Sequence, residues 1–270
     1  QMAYNEALAY AKDRKQFGQE IIKFPAVYEM LANMKAKLDA GRSLLYMTAR
    51  YVDIYKALED IARERKLTPE ERQEQKKYSR MADAFTPLAK GTNSEYANQN
   101  AYDSIQIHGG SGFMLEYACQ RLYRDARITS IYEGTTQLQV VAAIRYITNG
   151  TYLNIIRELD QESVSAEMQP LFDRAKTLAD KLEACVNAVK EAQNQELQDL
   201  AARHLYDITA NAMMAHLITL DASRAPQLFG KSAQVFLNLA EAEVAKNEKY
   251  VANLCSAESA ILTAAYKPEA

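Results

Sequence analysis

A seven-residue apolar repeat in the first half of the chain constrains the fold more than any other feature. Two adjacent rows carry it: Leu31, Leu38, Leu45 and Val52 in one, and Val27, Met34, Gly41 and Thr48 in the other. Residues seven apart return to one face of a helix after two turns. The repeat therefore predicts one long helix in a bundle, with both rows facing other helices.

Caps and breaks divide the rest of residues 1–150 into further predicted helices. Residues 1–13 have apolar side chains at helical spacing, and Pro25 stands in the first turn of the long helix. Thr68-Pro69-Glu70-Glu71 is typical of a capped helix start. We expect helices at about 70–90, 93–107, 116–126 and 135–148, with a break at Gly91-Thr92, a loop at 129–134 and a stop at Asn149-Gly150.

Residues 151–270 contain amphipathic patterns joined by short connections. The apolar positions predict four helices over about 171–189, 200–215, 235–245 and 251–265, with a turn region at 221–230. Four such helices form an antiparallel four-helix bundle. We therefore predict an all-α chain with two domains, residues 1–150 and 151–270, and a boundary near 150–165.

Charge and cysteine content exclude several functional classes. The 270 residues include 32 Lys and Arg against 35 Asp and Glu, a near balance that argues against a dedicated nucleic-acid binder. Cys119, Cys185 and Cys255 are far apart and form no Cys-x-x-Cys pair, so we expect free thiols, no metal site and a cytoplasmic location. No apolar run approaches the ~20 residues of a membrane helix, and no signal-peptide pattern opens the sequence.

One carboxylate stands at a turn directly before a predicted helix, in Ile131-Tyr132-Glu133-Gly134-Thr135-Thr136-Gln137. The glycine after it lets a ligand or a backbone approach closely. A fixed carboxylate with little competing charge suits a general base. Tyr132 to Gln137 resembles the catalytic-base motif of acyl-CoA dehydrogenases.

Three further motifs resemble the same family, in the same order. Arg14-Lys15-Gln16-Phe17-Gly18 is similar to its flavin-contacting Arg-Lys-x-Phe-Gly signature, and Gln106 to Phe113 is similar to its Gln-x-x-Gly-Gly-x-Gly-Phe loop. Tyr123-Arg124-Asp125-Ala126-Arg127 resembles the stretch that leads into the base. The four motifs extend over about half of the chain. They indicate the C-terminal all-α portion of a family member, truncated at its N-terminus and followed by the helical extension of longer members.

The resemblance implies a role for each matching residue. Glu133 would be the base that removes the pro-R α proton of an acyl-CoA, and Tyr132 and Gly134 would contact the substrate. FAD would be bound by Arg14, Gln16 and Phe17, by Gln106, Gly109 and Gly110, and by Thr135 and Gln137. Guanidinium groups, glycine-rich backbone and helix starts are all suited to phosphate. We interpret His108 as a packing residue.

The family's activity is the FAD-dependent oxidation of acyl-CoA to 2,3-enoyl-CoA in fatty-acid or branched acyl catabolism, with electrons passing to electron-transfer flavoprotein. Its cofactor contacts reach across a dimer, so the resemblance implies a homo-oligomer, a dimer or tetramer. Because the β domain that encloses the flavin ring would lie upstream, we expect this chain alone to be inactive. Pro25 stands where family members commonly have Gln, so one adenine contact is expected to be missing.

Two other interpretations remain open from the sequence. Acyl-CoA oxidases and nitroalkane oxidases share the fold, although nitroalkane oxidases usually have Asp at the base position, where this chain has Glu133. The other alternative is a non-catalytic helical oligomerisation scaffold. The intact set of Glu133, Arg14 and Gln106 argues against a scaffold.

Overall fold

A computed structural model describes residues 1–256, and helices dominate that part of the chain. The helices are α1 (Met2–Asp13), α2 (Pro25–Glu64), α3 (Pro69–His108), α4 (Ala118–Thr129), α5 (Thr136–Thr148), α6 (Thr151–Leu159), α7 (Gln169–Glu191), α8 (Gln195–Arg224) and α9 (Pro226–Leu254). A small antiparallel hairpin, β1 (Lys15–Gln16) and β2 (Gln19–Glu20), follows α1. Short 3₁₀ helices cover Ile21–Lys23 and Gly109–Phe113. The predicted all-α class is confirmed.

The longest pair of helices, α2 and α3, begins at the predicted positions. Pro25 is the first residue of α2, where its missing N–H costs no helical hydrogen bond. Thr68 caps α3 with a reciprocal capping box: its hydroxyl accepts from the Glu71 N–H at 3.2 Å, and the Glu71 carboxylate accepts from the Thr68 N–H at 2.9 Å. Local sequence therefore fixes both starts.

The predicted break at Gly91-Thr92 is wrong, because α3 continues unbroken from Pro69 to His108. Gly91 has a packing role instead: a Cβ at this position would lie 2.3 Å from the Tyr206 hydroxyl of α8. That hydroxyl lies 3.0 Å from the Pro87 carbonyl oxygen and 2.9 Å from the Leu88 carbonyl oxygen. Position 91 is thus a glycine because the Tyr206 side chain, which is distant in the sequence, packs against it. No local sequence pattern indicates that contact.

The seven-residue rows of α2 are buried to different degrees. Met34, Gly41 and Thr48 are buried, as predicted. Leu45 is 48% exposed, whereas its neighbour Leu44 is fully buried. The prediction that both rows face other helices is therefore wrong at Leu45. A straight helix drifts away from a strict seven-residue repeat by ~20° per heptad, which moves burial to an adjacent position.

The second half has long helices at some of the predicted positions. Helices α7 and α8 contain the first two predicted segments, but the short helix α6 was not predicted. The predicted turn at 221–230 is reduced to Ala225 between α8 and α9. Helix α9 joins the third predicted segment to Val251 and Leu254 of the fourth. The rest of the fourth segment, from Ala257 onward, lies outside the described residues.

One large apolar core extends across both halves. Helices α7, α8 and α9 pack together, and α2 and α3 lie against them. Buried polar contacts join the halves as well: Ser232 of α9 donates to the Asp39 carboxylate of α2 at 2.6 Å, and Ser43 of α2 donates to the Asp221 carboxylate at 2.6 Å. A second, smaller core of α1, α2 and α3 lies at the other end. No helix within residues 1–256 is long and apolar enough to cross a membrane.

Candidate active site

The predicted base lies in the short loop between α4 and α5. Helix α4 ends at Thr129 and α5 begins at Thr136, with Thr135 as its N-cap. Glu133 has a backbone φ of 50° and Gly134 a φ of 91°, so two consecutive residues are left-handed. A left-handed φ is unfavourable for a side chain such as Glu and easy for glycine. The surroundings must therefore hold this loop.

Side chains on both sides of the loop bind its backbone carbonyls. Gln139 of α5 donates to the carbonyl oxygens of Glu133 and Gly134, at 3.3 and 3.2 Å. The Lys90 ammonium of α3 donates to the Gly134 carbonyl at 2.5 Å. A Cβ at position 134 would lie 2.8 Å from the Gln139 amide nitrogen. Gly134 is therefore favoured by its positive φ, and a larger residue would also displace the Gln139 amide from the loop carbonyls.

The start of α5 is fixed by a second set of contacts. The Thr135 hydroxyl accepts from the Leu138 N–H at 3.3 Å and so caps the helix. Buried Thr136 donates its hydroxyl to the Glu95 carboxylate of α3 at 2.6 Å, and its N–H to the Ser130 carbonyl at 3.0 Å. Thr136 thus connects the end of the loop both to Glu95 of α3 and to Ser130, the first residue of the loop.

The functional groups of the loop face outward. Glu133 is exposed, and among residues 1–256 no hydrogen bond engages its carboxylate. Tyr132 is 50% exposed, with the Lys90 ammonium 5.8 Å from its ring centre. Thr135 and Gln137 are exposed beside them. A rigid backbone carrying a free carboxylate is an arrangement that can accept a proton from a bound molecule.

The remaining predicted cofactor residues gather around a separate cavity of about 400 Å³. It lies between α1, the hairpin, the start of α2 and the end of α3. Its lining includes the candidates Arg14, Gln16, Gln106, Gly109 and Gly110. Sequence positions more than 90 residues apart therefore meet at one site.

Phe17 is placed differently from its neighbours. It occupies the turn of the hairpin with a φ of 50°, is 94% exposed, and does not line the cavity. Its ring makes an edge contact with Phe24, at 6.2 Å between ring centres. A large aromatic ring exposed at a tight turn is available to pack on another molecule. Pro25 does not line the cavity, although Phe24 and Val27 on either side of it do.

The cavity suits a phosphate-bearing ligand. Gly109 has a φ of 60°, and neither it nor Gly110 has any atom within 4 Å of where a Cβ would stand, so their backbone is open to approach. The exposed guanidinium of Arg14 contributes a permanent positive charge. Bare backbone, guanidinium and the amides of Gln16 and Gln106 together form a donor set for phosphate and polar heterocycles.

His108 is buried beneath this cavity as a packing residue. Its ring stacks on Tyr10 with 4.2 Å between ring centres, and its Nδ1 lies 2.7 Å from the Ser104 carbonyl, to which it donates. The Tyr10 hydroxyl donates to the Ser111 hydroxyl at 3.2 Å. These contacts stabilise the floor of the cavity and its glycine-rich rim.

The structure brings the site candidates together as two groups. Arg14, Gln16, Gln106, Gly109 and Gly110 share the cavity. Tyr132, Glu133, Gly134 and Thr135 lie in the base loop (residues 130–135), and Gln137 follows in the first turn of α5. The cavity lining includes no residue of the base loop.

The cysteines belong to neither group, and burial raises the pKa of the Cys185 thiol to about 11. Among the described residues, no cluster of side chains could hold a metal ion.

Sequence reasoning missed the residues that hold the base loop, namely Lys90, Glu95 and Thr136. Lys90 and Glu95 stood on opposite sides of the predicted helix break, so no pattern connected them with each other or with the loop. Their proximity to residues 134–136 is a product of tertiary packing. A Lys and a Glu on a charged helix give no local signal of such a role.

Comparison with known proteins gives the family. Residues 1–147 match the family described as "Acyl-CoA dehydrogenase, C-terminal domain", and residues 148–258 match "Acyl-CoA dehydrogenase C terminal". The chain therefore belongs to the acyl-CoA dehydrogenase family, as the motifs predicted.

Two curated relatives show how far the sequence similarity extends. Over 139 residues, the chain is 38% identical to the 3-(aryl)acrylate reductase of Clostridium sporogenes and 37% identical to the caffeyl-CoA reductase-Etf complex subunit CarC of Acetobacterium woodii. Each match covers 52% of this chain and 30% of the relative. The chain thus spans about a third of the length of the curated relatives that it matches.

Solved structures extend the fold similarity to nearly the whole chain. An acyl-CoA dehydrogenase complexed with FAD from Bacillus anthracis has a TM-score of 0.74 at 24% identity, covering 94% of this chain and 46% of that one. Acyl-CoA oxidase3 from Yarrowia lipolytica has a TM-score of 0.66 at 14% identity, covering 94% and 43%. At these identities the likeness concerns the fold, which dehydrogenases and oxidases share.

Proposed function

We propose that this chain is the C-terminal, helical part of an FAD-dependent acyl-CoA dehydrogenase in which Glu133 is the catalytic base. The observation that carries the proposal is the base loop: its strained backbone is bound on both sides, yet its carboxylate is free and exposed. A loop held in an unfavourable conformation for no local reason is typical of a functional site. Residues 1–150 and 151–270 would form its two domains.

The carboxylate of Glu133 accepts the α proton of the acyl thioester. Binding of the acyl chain excludes the water that would otherwise solvate the carboxylate oxygens and brings them close to the α carbon. The absence of a side chain at Gly134 leaves room for the thioester beside the carboxylate, and the half-exposed Tyr132 ring packs on the substrate. FAD held by the cavity residues would supply the acceptor for the β hydride; with the α proton on Glu133, the acyl-CoA would be left as 2,3-enoyl-CoA.

The cavity residues would bind the polar parts of the cofactor. Arg14 contacts phosphate, the backbone of Gly109 and Gly110 allows close approach, and Gln16 and Gln106 donate to polar edges. Phe17 packs against the same ligand, while Thr135 and Gln137 contact it at the start of α5. Because cavity and base loop are separate surfaces of one chain, we propose that a second copy completes each site in a homo-oligomer.

The identity of the electron acceptor would distinguish two candidate activities, and the name of one relative supports one of them. CarC is named as part of a reductase-Etf complex, and we propose electron-transfer flavoprotein as the partner here. The shared fold keeps acyl-CoA oxidase as the second candidate. An oxidase would pass electrons to oxygen and release peroxide.

The free thiols of Cys119, Cys185 and Cys255 fit a reducing compartment such as the cytoplasm.

Anaerobic titration of the full-length protein with a panel of acyl-CoAs tests the proposal. Wild type should lose its flavin absorbance with one chain class, whereas Glu133→Gln should bind the same acyl-CoA but react about 10²–10⁴-fold more slowly. Glu162→Gln, which changes an exposed carboxylate in the loop after α6, is the matched control and should behave as wild type.

Three results would contradict parts of the proposal. Equal bleaching by Glu133→Gln and wild type would place the base elsewhere. Absence of bound flavin would favour the non-catalytic scaffold. Stoichiometric peroxide in air, without reduction of an electron-transfer flavoprotein, would identify an oxidase. As a baseline, the 270-residue chain alone, mixed with FAD and octanoyl-CoA, should reduce no dye.

A further inference from the structure

We propose that Lys90 and Glu95 of α3 are positioning residues for the base, which hold the chain at Gly134 and at Thr136 and so set the direction of the Glu133 carboxylate. The inference rests on the proposed function, because a direction matters only if Glu133 takes the proton. Neither residue touches the carboxylate in the structure. Each acts through the loop that carries it.

The loop needs external support because its own geometry is unfavourable. Glu133 is one of three non-glycine residues with positive φ among those the structure describes. Rotation of its φ toward the ordinary region would swing the carboxylate away from its present direction. Gln139 binds the two loop carbonyls from the same helix that follows the loop. Contacts from a different helix are therefore required to hold the loop in place relative to the rest of the chain.

Lys90 supplies the first of these contacts. Its ammonium donates to the Gly134 carbonyl at 2.5 Å, a charge-assisted hydrogen bond to the residue that follows the base. The neighbouring residue in α3 is Gly91, which packs against Tyr206 in the large core. Lys90 therefore stands on a part of α3 that the core holds in position.

Glu95 supplies the second contact, about 1.4 turns further along α3. Its carboxylate accepts the Thr136 hydroxyl at 2.6 Å, and Thr136 is buried at the first turn of α5. Glu95 also lines a cavity of about 310 Å³ between α3 and α8, together with Arg203 and Tyr206. The Thr136 hydroxyl also lies 3.4 Å from the Ser130 carbonyl oxygen, so the Glu95 carboxylate is the nearer of its two acceptors.

Both contacts lie just after the base in the sequence. Lys90 binds at position 134 and Glu95 at position 136, while the Thr136 N–H reaches back to Ser130. Loss of either contact would let the loop rotate without unfolding the helices around it. A misplacement of about 1 Å in a catalytic group can lower a rate 10²-fold. The expected defect is therefore in the rate of proton removal and not in substrate binding.

Kinetics of the full-length protein test this inference. Lys90→Met and Glu95→Leu should each lower kcat about 10–100-fold, with KM changed less than about threefold. Glu95→Gln should recover kcat to within about threefold of wild type, because an amide oxygen also accepts the Thr136 hydroxyl. Lys76→Met and Glu74→Leu, which change exposed residues on the same helix, are the matched controls and should leave both constants unchanged.

Hydrogen exchange gives a readout that does not depend on turnover. Amides of the 130–137 segment should exchange about tenfold faster in Lys90→Met and Glu95→Leu, whereas the amides of α7 and α8 keep the wild-type rate. If a variant lowers protection throughout the chain, Lys90→Gln and Thr136→Ser repeat the test with smaller changes. Lys90→Gln should again accelerate exchange of the loop, and Thr136→Ser should preserve protection because it retains the hydroxyl.

The outcomes separate this inference from the proposed function. A Glu133→Gln enzyme without activity, beside Lys90→Met and Glu95→Leu enzymes with wild-type kcat and loop exchange, would overturn the positioning role and leave the base assignment intact. Equal losses in Glu95→Gln and Glu95→Leu would also overturn it. Turnover by Glu133→Gln at the wild-type rate would contradict the base assignment itself.

Discussion

The base loop and helix α8 are built in opposite ways. In the loop, Tyr132, Glu133 and Thr135 are exposed and two consecutive residues have left-handed backbone. In α8, more than half of the residues are buried, including the run from Thr209 to His216. The loop is held by a few directed hydrogen bonds, whereas α8 is held by packing on all sides. The chain therefore separates the part that could carry chemistry from the part that supplies stability.

The two regions are connected through α3. Tyr206 of α8 packs into α3 at Gly91, and the next residue toward the N-terminus, Lys90, binds the base loop. The buried second half thus supports the helix from which the loop is held. This arrangement gives residues 151–256 a reason to be present even though no predicted site residue lies among them.

The largest expected contrast in stability is between two phenylalanines. Phe236 of α9 is fully buried, whereas Phe17 of the hairpin is 94% exposed. Phe236→Ala should lower the free energy of unfolding by about 3–5 kcal/mol, because it removes buried apolar surface and leaves a cavity. Phe17→Ala should change it by less than ~0.5 kcal/mol. Urea unfolding of both variants measures the difference.

Comparable losses in the two variants would contradict this division between core and site. Flavin content provides the complementary measurement in the full-length protein. There, Phe17→Ala should reduce cofactor retention if Phe17 packs on the ligand. The fraction of the Phe236→Ala protein that is folded should retain the cofactor as wild type does. The two substitutions would then have opposite profiles in stability and in binding.

The sequence predicted more of the local structure than of the packing. The cap at Thr68 and the proline at Pro25 were assigned correctly because each acts within one helical turn. Gly91 was misread as a helix break, since its partner Tyr206 lies 115 positions away. The base motif indicated Glu133 by resemblance. The residues that hold its loop could not be found, because tertiary packing alone brings Lys90 and Glu95 to it.

The junction between α3 and α8 gives the second contrast. Gly91→Ala would place a methyl group 2.3 Å from the Tyr206 hydroxyl and 3.1 Å from the carbon that carries it. Such overpacking should lower the free energy of unfolding by about 1–3 kcal/mol. In the Tyr206→Phe background, where the hydroxyl is absent, the same substitution should cost less. A double-mutant cycle by urea unfolding measures the coupling.

Gly230→Ala on α9 is the matched control, because no atom lies within 4 Å of where its Cβ would stand. It should be neutral or slightly stabilising, since alanine favours a helix more than glycine does. If the unfolding free-energy changes of Gly91→Ala and Tyr206→Phe are strictly additive, the glycine is not needed to make room for the Tyr206 hydroxyl. The junction would then not explain how α8 supports α3.

The smallest expected effect compares two residues that share one backbone conformation. Gln193, in the turn between α7 and α8, has a φ of 48°, and Glu133 has a φ of 50°. Left-handed backbone costs a side-chain-bearing residue about 1–2 kcal/mol, while glycine loses about 0.5–1 kcal/mol through its greater freedom in the unfolded chain. Gln193→Gly and Glu133→Gly should therefore each stabilise the protein by roughly 0.5 kcal/mol. If Glu133 is the base, the full-length protein should keep its turnover with Gln193→Gly and lose it with Glu133→Gly. Destabilisation by Glu133→Gly alone would mean that its side chain supports the fold, and the strain at Glu133 would then have a structural explanation in place of a catalytic one.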